Sequence, residues 1–310
     1  MTFDKPGALA SQHLKQLISD SVIASDTPIQ EDQIQPASID LRLGVTAYRV
    51  RSSFLPGKDR TVAQCLADMA MHEMDLSNGA VLEKSCVYIV PLLEGLVLPK
   101  QLSAAGNPKS STGRLDVFTR LITDYGVEFE QVPAGYQGPL YAEIAPLTFS
   151  VLVRTGSRLS QLRIRSGRAV IDDRSHAQLH QSVALVDAQL SSSEIKNGIP
   201  VSVDLSGKAN NGLMGFRAKR HSGVVDVDKP AAHQAARFWE PLLVDSNQQN
   251  KGQLILDPGE FYILVSKEAV HVPFDYAAEM VAYDTLVGEF RVHYAGFFDP
   301  GFGAPEAGGG

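Results

Sequence analysis

Cysteine is scarce in this chain, since only Cys65 and Cys86 occur among its 310 residues. Two cysteines supply no disulfide framework, and so few are typical of proteins from a reducing compartment. The sequence also lacks an apolar run of about 18 residues and a basic leader followed by an apolar stretch. We therefore predict a cytoplasmic protein and expect neither a membrane span nor export.

Positive charge is in the minority, with 28 lysines and arginines against 35 aspartates and glutamates, which gives a formal net charge of −7. Sequence-independent nucleic-acid binding needs a basic face, so this balance argues against nucleic acid as a partner. The chain also lacks the pattern G-x-x-x-x-G-K-[ST], which excludes a P-loop. Any phosphate site must therefore be a local positive pocket built from another motif.

The apolar stretches of the chain are short and are separated by Gly, Pro and Ser. They are residues 87–90, 96–99, 140–144, 149–153 and 162–165. This pattern predicts many short strands in a sandwich or barrel, and hence a mainly β protein. Apolar residues at helical spacing, Leu14, Leu17, Ile18 and Val22, predict a short N-terminal helix. A further helix is predicted within residues 61–74.

Two motifs combine anion-binding side chains with a single carboxylate. Residues 107–114 read NPKSSTGR, and residues 135–143 read GYQGPLYAE. Lys109 and Arg114 can neutralise phosphate oxygens, while the two serines between them, at 110 and 111, can donate hydrogen bonds to the same group. Glu143 can take a proton from water. A solvated hairpin would also explain a Ser-Ser turn between basic residues, and that alternative stays open.

The same residues carry a resemblance to a known family. The motifs resemble R-S-S-x-x-[AG]-R followed by G-[WY]-x-G-x-[ILV]-x-x-E, which is the pattern of the dCTP deaminases of the dUTPase-like fold. The matching residues are Ser110, Ser111, Arg114, Gly135, Tyr136, Gly138 and Glu143. Residues 35–44 and 82–99 resemble two earlier strand blocks of that family, so the likeness extends over residues 10–165.

The resemblance implies hydrolytic deamination of dCTP to dUTP and ammonia. In this interpretation Glu143 activates water, Ser110 and Arg114 complete the catalytic set, and Lys109 and Ser111 bind the substrate. Mg²⁺ would arrive with the triphosphate. The family also implies a homo-oligomer with a trimeric arrangement of domains.

Zinc is not expected in this reaction. Zinc-dependent base deaminases use H-x-E together with P-C-x-x-C. The chain has no C-x-x-C, and His72-Glu73 is not H-x-E. The family that the chain resembles uses no zinc, which agrees with the missing ligands.

The chain also repeats itself. Residues 199–205 are similar to residues 35–41, and residues 256–273 are similar to residues 82–99. We therefore predict two tandem dUTPase-like domains. The first spans residues 1–170 and carries the motifs, residues 171–198 form a linker, and a degenerate, truncated second domain spans residues 199–310.

The second copy does not keep the chemistry of the first. Asp284 and Gly288 stand opposite Ser110 and Arg114, and an acidic side chain would repel a triphosphate. Asp299 lies in a block similar to the family's I-D-P-G-[WF]-x-G hairpin, so we also assign it to substrate binding. The second copy ends before the strands that follow this hairpin in the first, which favours a fragment of a longer chain.

Three departures from the family pattern leave other functions open. Lys109 replaces an arginine, a short insertion separates the two motifs, and the family's C-terminal base-contacting Tyr and Lys have no clear match. One alternative is a dUTP diphosphatase or a bifunctional deaminase–diphosphatase, in which Asp124 would activate water. Asp124 also fits a plain turn at a strand end. A non-catalytic nucleotide sensor is the other alternative, because a fold does not fix a function.

Overall fold

The computed structural model describes residues 6–168, 170–244, 252–281 and 296–304. The chain divides into two compact units. Unit 1 contains Met1–Val170, Val224–Asp228 and Phe274–Pro300, and unit 2 contains Ile171–Gly223, Lys229–Pro273 and Gly301–Gly310.

The described strands are, in chain order, β1 Gly7–Ala8, β2 Ile23–Ala24, β3 Ile39–Leu41, β4 Thr46–Val50, β5 Ala70–Asp75, β6 Ala80–Leu82, β7 Val87–Val97, β8 Leu102–Pro108, β9 Val117–Thr123, β10 Gln131–Val132, β11 Gln137–Pro146, β12 Ser150–Val153, β13 Ser160–Ser166, β14 Leu213–Ala218, β15 Val224–Asp226, β16 Trp239–Leu243, β17 Tyr262–Leu264, β18 Ala278–Glu279 and β19 Phe297–Phe298. The α-helices are α1 Ser11–Ser19, α2 Val62–Met69, α3 Ser110–Gly113, α4 Asp173–Ser182 and α5 Ala235–Phe238. Short 3₁₀ turns lie at Glu31–Gln33 and Lys208–Asn210. The prediction of a mainly β protein is confirmed.

Two sheets dominate unit 1, and all the pairings within them are antiparallel. One has the order β1-β13-β8-β10, with β3 also paired to β13. The other has the order β5-β4-β7-β11-β9, with β2 also paired to β7. Four of the five short apolar stretches fall largely within a strand, and residues 96–99 lie half within β7. Most side chains of these stretches are buried in the core.

Both predicted helices are present, although the second is shorter than predicted. Helix α1 buries Leu14 and Leu17 on one face. Helix α2 begins with a capping box, in which the Thr61 side chain accepts from the backbone N–H of Gln64. It ends at Met69, and the rest of the predicted segment forms β5, which pairs with β4. The helical spacing of apolar residues thus extends into β5. This segment is a strand because it pairs with β4, and the sequence alone does not show that pairing.

Unit 1 also contains two segments from the later part of the chain. Strand β15 pairs in parallel with β12, and the Arg154 guanidinium holds both carboxylate oxygens of Asp226, at 2.7 and 2.9 Å. Strands β18 and β19 form an antiparallel ribbon. The predicted division at residues 170 and 198 stays a prediction.

Unit 2 is built around the antiparallel sheet β16-β14-β17. Its helix α4 lies within the segment that we predicted to be a linker. The Asp172 side chain caps this helix by accepting from the backbone N–H of Ser175 at 2.7 Å.

Candidate active site

The predicted Ser-Ser loop is a short helix, α3, which directly follows β8. The backbone N–H of Lys109 and the hydroxyl of Thr112 both donate to the carbonyl of Leu159, at 2.9 and 2.8 Å. These two bonds tie the segment to the residue that precedes β13. The exposed side chains are those of Ser110, Ser111 and Arg114. The segment therefore presents two hydroxyls and one cation to solvent from a fixed backbone.

Lys109 is the one motif cation that already has a partner. Its ammonium forms an ion pair with Oδ2 of Asp40 in β3, whose side chain is 2% exposed. Burial raises the pKa of Asp40, and the neighbouring Lys109 opposes this shift. The Asp40 carboxylate therefore neutralises part of the Lys109 charge from within the protein. The Lys109 side chain remains 28% exposed.

Glu143 lies in the middle of β11, directly between Ile89 of β7 and Arg120 of β9. Residues opposite one another on paired strands project to the same face. The Nε of Arg120 donates to Oε1 of Glu143 at 3.0 Å, and Nη2 of Arg120 donates to the same oxygen. The other oxygen, Oε2, is buried and has no hydrogen-bond partner among the described residues. Glu143 thus has one oxygen fixed by a cation and one oxygen unoccupied.

The face around Glu143 is otherwise apolar. Ile89, Ile122 and Tyr141 belong to one hydrophobic cluster with Val62 and Leu66 of α2. Burial raises the pKa of Tyr141 to about 12, so its hydroxyl stays neutral at neutral pH. The carboxylate therefore lies in a region where few groups compete for its free oxygen.

The remaining motif residues form a turn rather than a reactive group; they are Gly135, Tyr136 and Gly138. The Tyr136 hydroxyl donates to the carbonyl of Pro139 at 2.6 Å and accepts from the backbone N–H of Asp124 at 3.2 Å. Gly135 has φ 78°, in the left-handed region. A Cβ at Gly138 would lie 2.8 Å from the Tyr136 hydroxyl, so the ring can cross its own strand only over a glycine.

Asp124, the residue that the diphosphatase alternative requires, has a structural use. Its Oδ1 accepts from the backbone N–H of Val62, the first residue of α2, at 2.8 Å. A carboxylate at this position satisfies a free helix N–H and complements the helix dipole. This arrangement agrees with the interpretation of Asp124 as a structural residue at a strand end.

Asp299 belongs to the same compact unit as the Ser-Ser segment. One of its oxygens lies 3.6 Å from Nη2 of Arg163, whose guanidinium stacks 4.0 Å from the centre of the Phe297 ring. Burial raises the pKa of Asp299, and the charge of Arg163 opposes the shift. Nearby, the backbone N–H of Gly296 donates to Oδ1 of Asn107 at 2.8 Å. The role of Asp299 in substrate binding stays a prediction.

Five of the six predicted site residues fall into two groups, and the sixth, Asp299, lies beside Arg163. The first group lies on or beside α3 and consists of Lys109, Ser110, Ser111 and Arg114. The second is Glu143 alone, which lies in β11 opposite Arg120 and beside the hydrophobic cluster that includes Val62 and Leu66 of α2. Within the part of the chain that the structure describes, no hydrogen bond or ion pair joins Glu143 to the α3 segment. Asp284 and Gly288, the substitutions predicted to inactivate the second copy, lie outside the described residues.

Sequence reasoning missed Arg120, Asp40 and Arg163. Arg120 and Glu143 are 23 positions apart, so only the register between β9 and β11 reveals their contact. A signal was present in β9, where Phe118, Arg120 and Ile122 share one face by strand alternation. A charged residue on an otherwise apolar face predicts a buried partner, but the sequence does not identify that partner.

The described residues also bear on metal binding and membrane crossing. No group of three or more His, Cys, Asp and Glu side chains lies close enough together to hold a metal ion in the described ranges. The prediction of a zinc-free reaction rests on the sequence and stays a prediction. Of the helices described, none has the length and apolar character to cross a membrane.

Comparison with known families covers nearly the whole chain. The N-terminal domain of the family 2′-deoxycytidine 5′-triphosphate deaminase (DCD) matches residues 5–168. The C-terminal domain of the same family matches residues 172–310.

Individual proteins show the same likeness. A crystal structure of 2′-deoxycytidine 5′-triphosphate deaminase from Agrobacterium tumefaciens is 54% identical, with a TM-score of 0.90, and the match covers 98% of this chain and 89% of that one. A dCTP deaminase, dUMP-forming, from Coprothermobacter proteolyticus is 27% identical over 48% of this chain and 76% of its own. Its counterpart from Methanobrevibacter smithii is 26% identical over 50% of this chain and 77% of its own.

Proposed function

The chain belongs to the family of 2′-deoxycytidine 5′-triphosphate deaminases, and we propose that Glu143 activates the water in its hydrolytic deamination of dCTP. The observation that carries this assignment is the unequal use of the Glu143 oxygens. Oε1 accepts two hydrogen bonds from Arg120, while the buried Oε2 has no partner among the described residues. A general base needs a free lone pair within hydrogen-bond reach of the proton that it takes from water.

The proposed reaction adds water to C4 of the cytosine ring. Oε2 of Glu143 takes one proton from the water as the oxygen bonds to C4, which gives a tetrahedral carbon. The same carboxyl then returns the proton to the exocyclic amine, and the C–N bond breaks. The remaining hydroxyl proton moves from the C4 oxygen to N3, which gives the C4 carbonyl of uracil. The products are dUTP and ammonia, so atoms and charge balance without a redox partner.

The α3 segment supplies the charge-binding part of the proposed site. Ser110 and Arg114 position the water and the ring and stabilise developing negative charge. Ser111 and Lys109 hold phosphate oxygens, with Mg²⁺ entering as part of the substrate on the triphosphate. The exposure of Ser110, Ser111 and Arg114 supports this role, because each can meet a ligand without rearranging the core.

We further propose that the complete site forms between subunits of a homo-oligomer. Glu143 and the exposed side chains of α3 make no bond to one another within the described chain, which supports contributions from different subunits. A trimeric arrangement is the one that the family resemblance implies. We also propose a cytoplasmic location and a zinc-free reaction.

dUTP is the proposed product even though two relatives carry the name dUMP-forming. Formation of dUMP would need a second water-activating group at the phosphates. The carboxylate of Asp124 is engaged at the start of α2, which supports deamination alone.

Product analysis tests the proposal. The protein is incubated with dCTP and Mg²⁺, and the products are resolved by chromatography with a parallel ammonia assay. Ammonia with intact dUTP is the expected result. Release of pyrophosphate would identify a diphosphatase step, and nucleotide binding without turnover would identify a sensor. Prior dialysis against a zinc chelator, followed by excess Mg²⁺, should leave turnover unchanged; a loss restored only by zinc would overturn the zinc-free reaction.

A further inference from the structure

We infer that Arg120 is a positioning residue for Glu143, one that orients the carboxylate so that Oε2 faces the reacting water. This inference rests on the proposed role of Glu143. Arg120 is not part of the motifs that identify the family in this sequence, and it does not contact the predicted phosphate-binding residues in the described part of the chain.

The first argument is the geometry of the pair. Nε and Nη2 of Arg120 both reach the same oxygen, Oε1 of Glu143. A structural arginine–carboxylate pair more often spreads its two donors over both oxygens. Here the contact restrains the carboxylate but leaves the buried Oε2 without a donor among the described residues, and a substrate water would supply the missing partner.

The second argument is that Arg120 is itself held in place. Its guanidinium carbon lies 3.5 Å from the centre of the Phe129 ring and 4.8 Å from that of Phe118. Its Nη2 also donates to the hydroxyl of Ser53 at 2.8 Å. A planar guanidinium can stack and donate at once, which a lysine ammonium cannot do in the same way. The position of Glu143 is therefore fixed by a supported side chain.

The third argument comes from another buried ion pair in the same unit. Oε1 of Glu94 accepts from Nε of Arg42 at 2.7 Å and from Gln33 at 3.0 Å, while Oε2 of Glu94 accepts from the backbone N–H of Arg42 at 2.8 Å. Both oxygens of that carboxylate are used, as is usual for a buried charge. The Arg120–Glu143 pair thus differs from the Arg42–Glu94 pair in leaving one carboxylate oxygen without a partner among the described residues.

A double-mutant cycle tests the inference through the variants Arg120→Gln, Glu143→Gln and their combination. We expect Arg120→Gln to lower kcat by about 10²-fold, the loss typical of a misplaced reacting group, with KM changed only a few-fold. In the Glu143→Gln background the same substitution should change kcat less than about 2-fold, because its effect passes through Glu143. If the two substitutions lowered kcat independently, so that their effects multiplied in the double variant, the inference would be contradicted.

Two further readouts separate positioning from a purely structural role. The loss in Arg120→Gln should appear in kcat per folded molecule, whereas a purely structural role would lower only the folded fraction. Arg120→Lys should retain more kcat than Arg120→Gln, because it restores the charge without the fork. An unchanged kcat per folded molecule in Arg120→Gln would overturn the inference.

The outcomes also separate this inference from the proposed function. If Glu143→Gln keeps normal turnover, the proposed function fails. If Glu143→Gln is inactive while Arg120→Gln is fully active, only the role of Arg120 fails. Should Arg120→Gln not fold, Ser53→Ala provides the test, since it removes one hydrogen bond to the guanidinium. A kcat reduced about 2- to 5-fold with unchanged KM is expected there, as for one weak supporting bond, and unchanged kcat would count against the inference.

Discussion

Unit 1 contains two buried glutamate–arginine pairs that serve different ends. In the Arg42–Glu94 pair the side chains are 6% and 0% exposed, and both carboxylate oxygens are bound. In the Arg120–Glu143 pair the glutamate is equally buried, at 2% exposed side chain, but one oxygen is open. The two pairs therefore differ in the number of carboxylate oxygens that a described protein donor holds, not in burial or charge pairing.

The donors of the two arginines extend this contrast. The remaining N–H groups of Arg42 donate to the chain before β3, namely to the carbonyls of Pro28 and Thr27 and to the hydroxyl of Ser25. Those bonds fix a backbone segment. Arg120 uses its remaining contacts to hold its own position against the Phe129 ring and the Ser53 hydroxyl. Arg42 thus holds a backbone segment of the fold, whereas Arg120 holds a single side chain, that of Glu143.

Removing the exposed hydroxyl and cation of α3 should produce the largest effect. We expect Ser110→Ala together with Arg114→Ala to abolish deamination, because the water, the ring and the developing charge lose their donors. Both side chains are exposed, so the free energy of unfolding should change by no more than about 0.5 kcal/mol per substitution. Ammonia release and urea denaturation measure the two quantities. Residual turnover near the wild-type level would remove α3 from the site.

Breaking the fully bonded pair should act on stability instead. We expect Arg42→Met to lower the free energy of unfolding by about 3–5 kcal/mol, because the buried Glu94 carboxylate is left without its cation. Turnover per folded molecule should remain close to normal. Urea denaturation and an activity assay normalised to the folded fraction are the measurements. A large fall in turnover with unchanged stability would reverse the assignment of the two pairs.

The half-buried Glu130 sharpens the comparison because its surroundings favour the protonated carboxyl. Its Oε2 is buried without a hydrogen-bond partner among the described residues, and burial raises its pKa to about 8. The folded state therefore binds a proton that the unfolded state releases near pH 4.5, its ordinary value. This contribution to stability is fully present below about pH 4.5 and is lost as the pH rises through about 8.

Glu130→Gln should remove that pH dependence. The variant is expected to match the wild type near pH 4 and to be more stable than it at pH 9, with a difference that grows by at most about 1.4 kcal/mol per pH unit between those limits. Denaturation curves across this pH range provide the measurement. Parallel stability profiles for the two proteins would show that Glu130 is ionised in the folded state.

The sequence predicted some parts of this picture and not others, for physical reasons. Ser110, Ser111 and Glu143 could be proposed from the sequence because their spacing along the chain is itself the motif. The end of α2 at Met69 was missed because the pairing of β5 with β4 outweighs local helical spacing. Arg120 was missed because its meaning depends on strand register.

Asp299 shows the difference between a repeat along the chain and a compact unit in space. The sequence places it in a second domain over residues 199–310, whereas the folded chain places it in unit 1 beside Arg163. The compact unit that a segment joins depends on its contacts with parts of the chain that are far away in sequence. The contacts that place β18 and β19 in unit 1 are of this kind, and they leave no periodic signal in the sequence. Local patterns therefore indicated the strands and the motif, but not which compact unit each late segment would join.

Glu143→Gln tests the central claim most directly. The substitution keeps the shape of the side chain and its Oε1 acceptor but removes the capacity to take a proton. We expect turnover of dCTP to fall by at least about 10²-fold, while nucleotide affinity stays within a few-fold, since general bases contribute on that scale. Steady-state ammonia release and equilibrium binding of a non-hydrolysable dCTP analogue give the two values. Near-normal turnover in this variant would contradict the assignment of Glu143 as the residue that activates water.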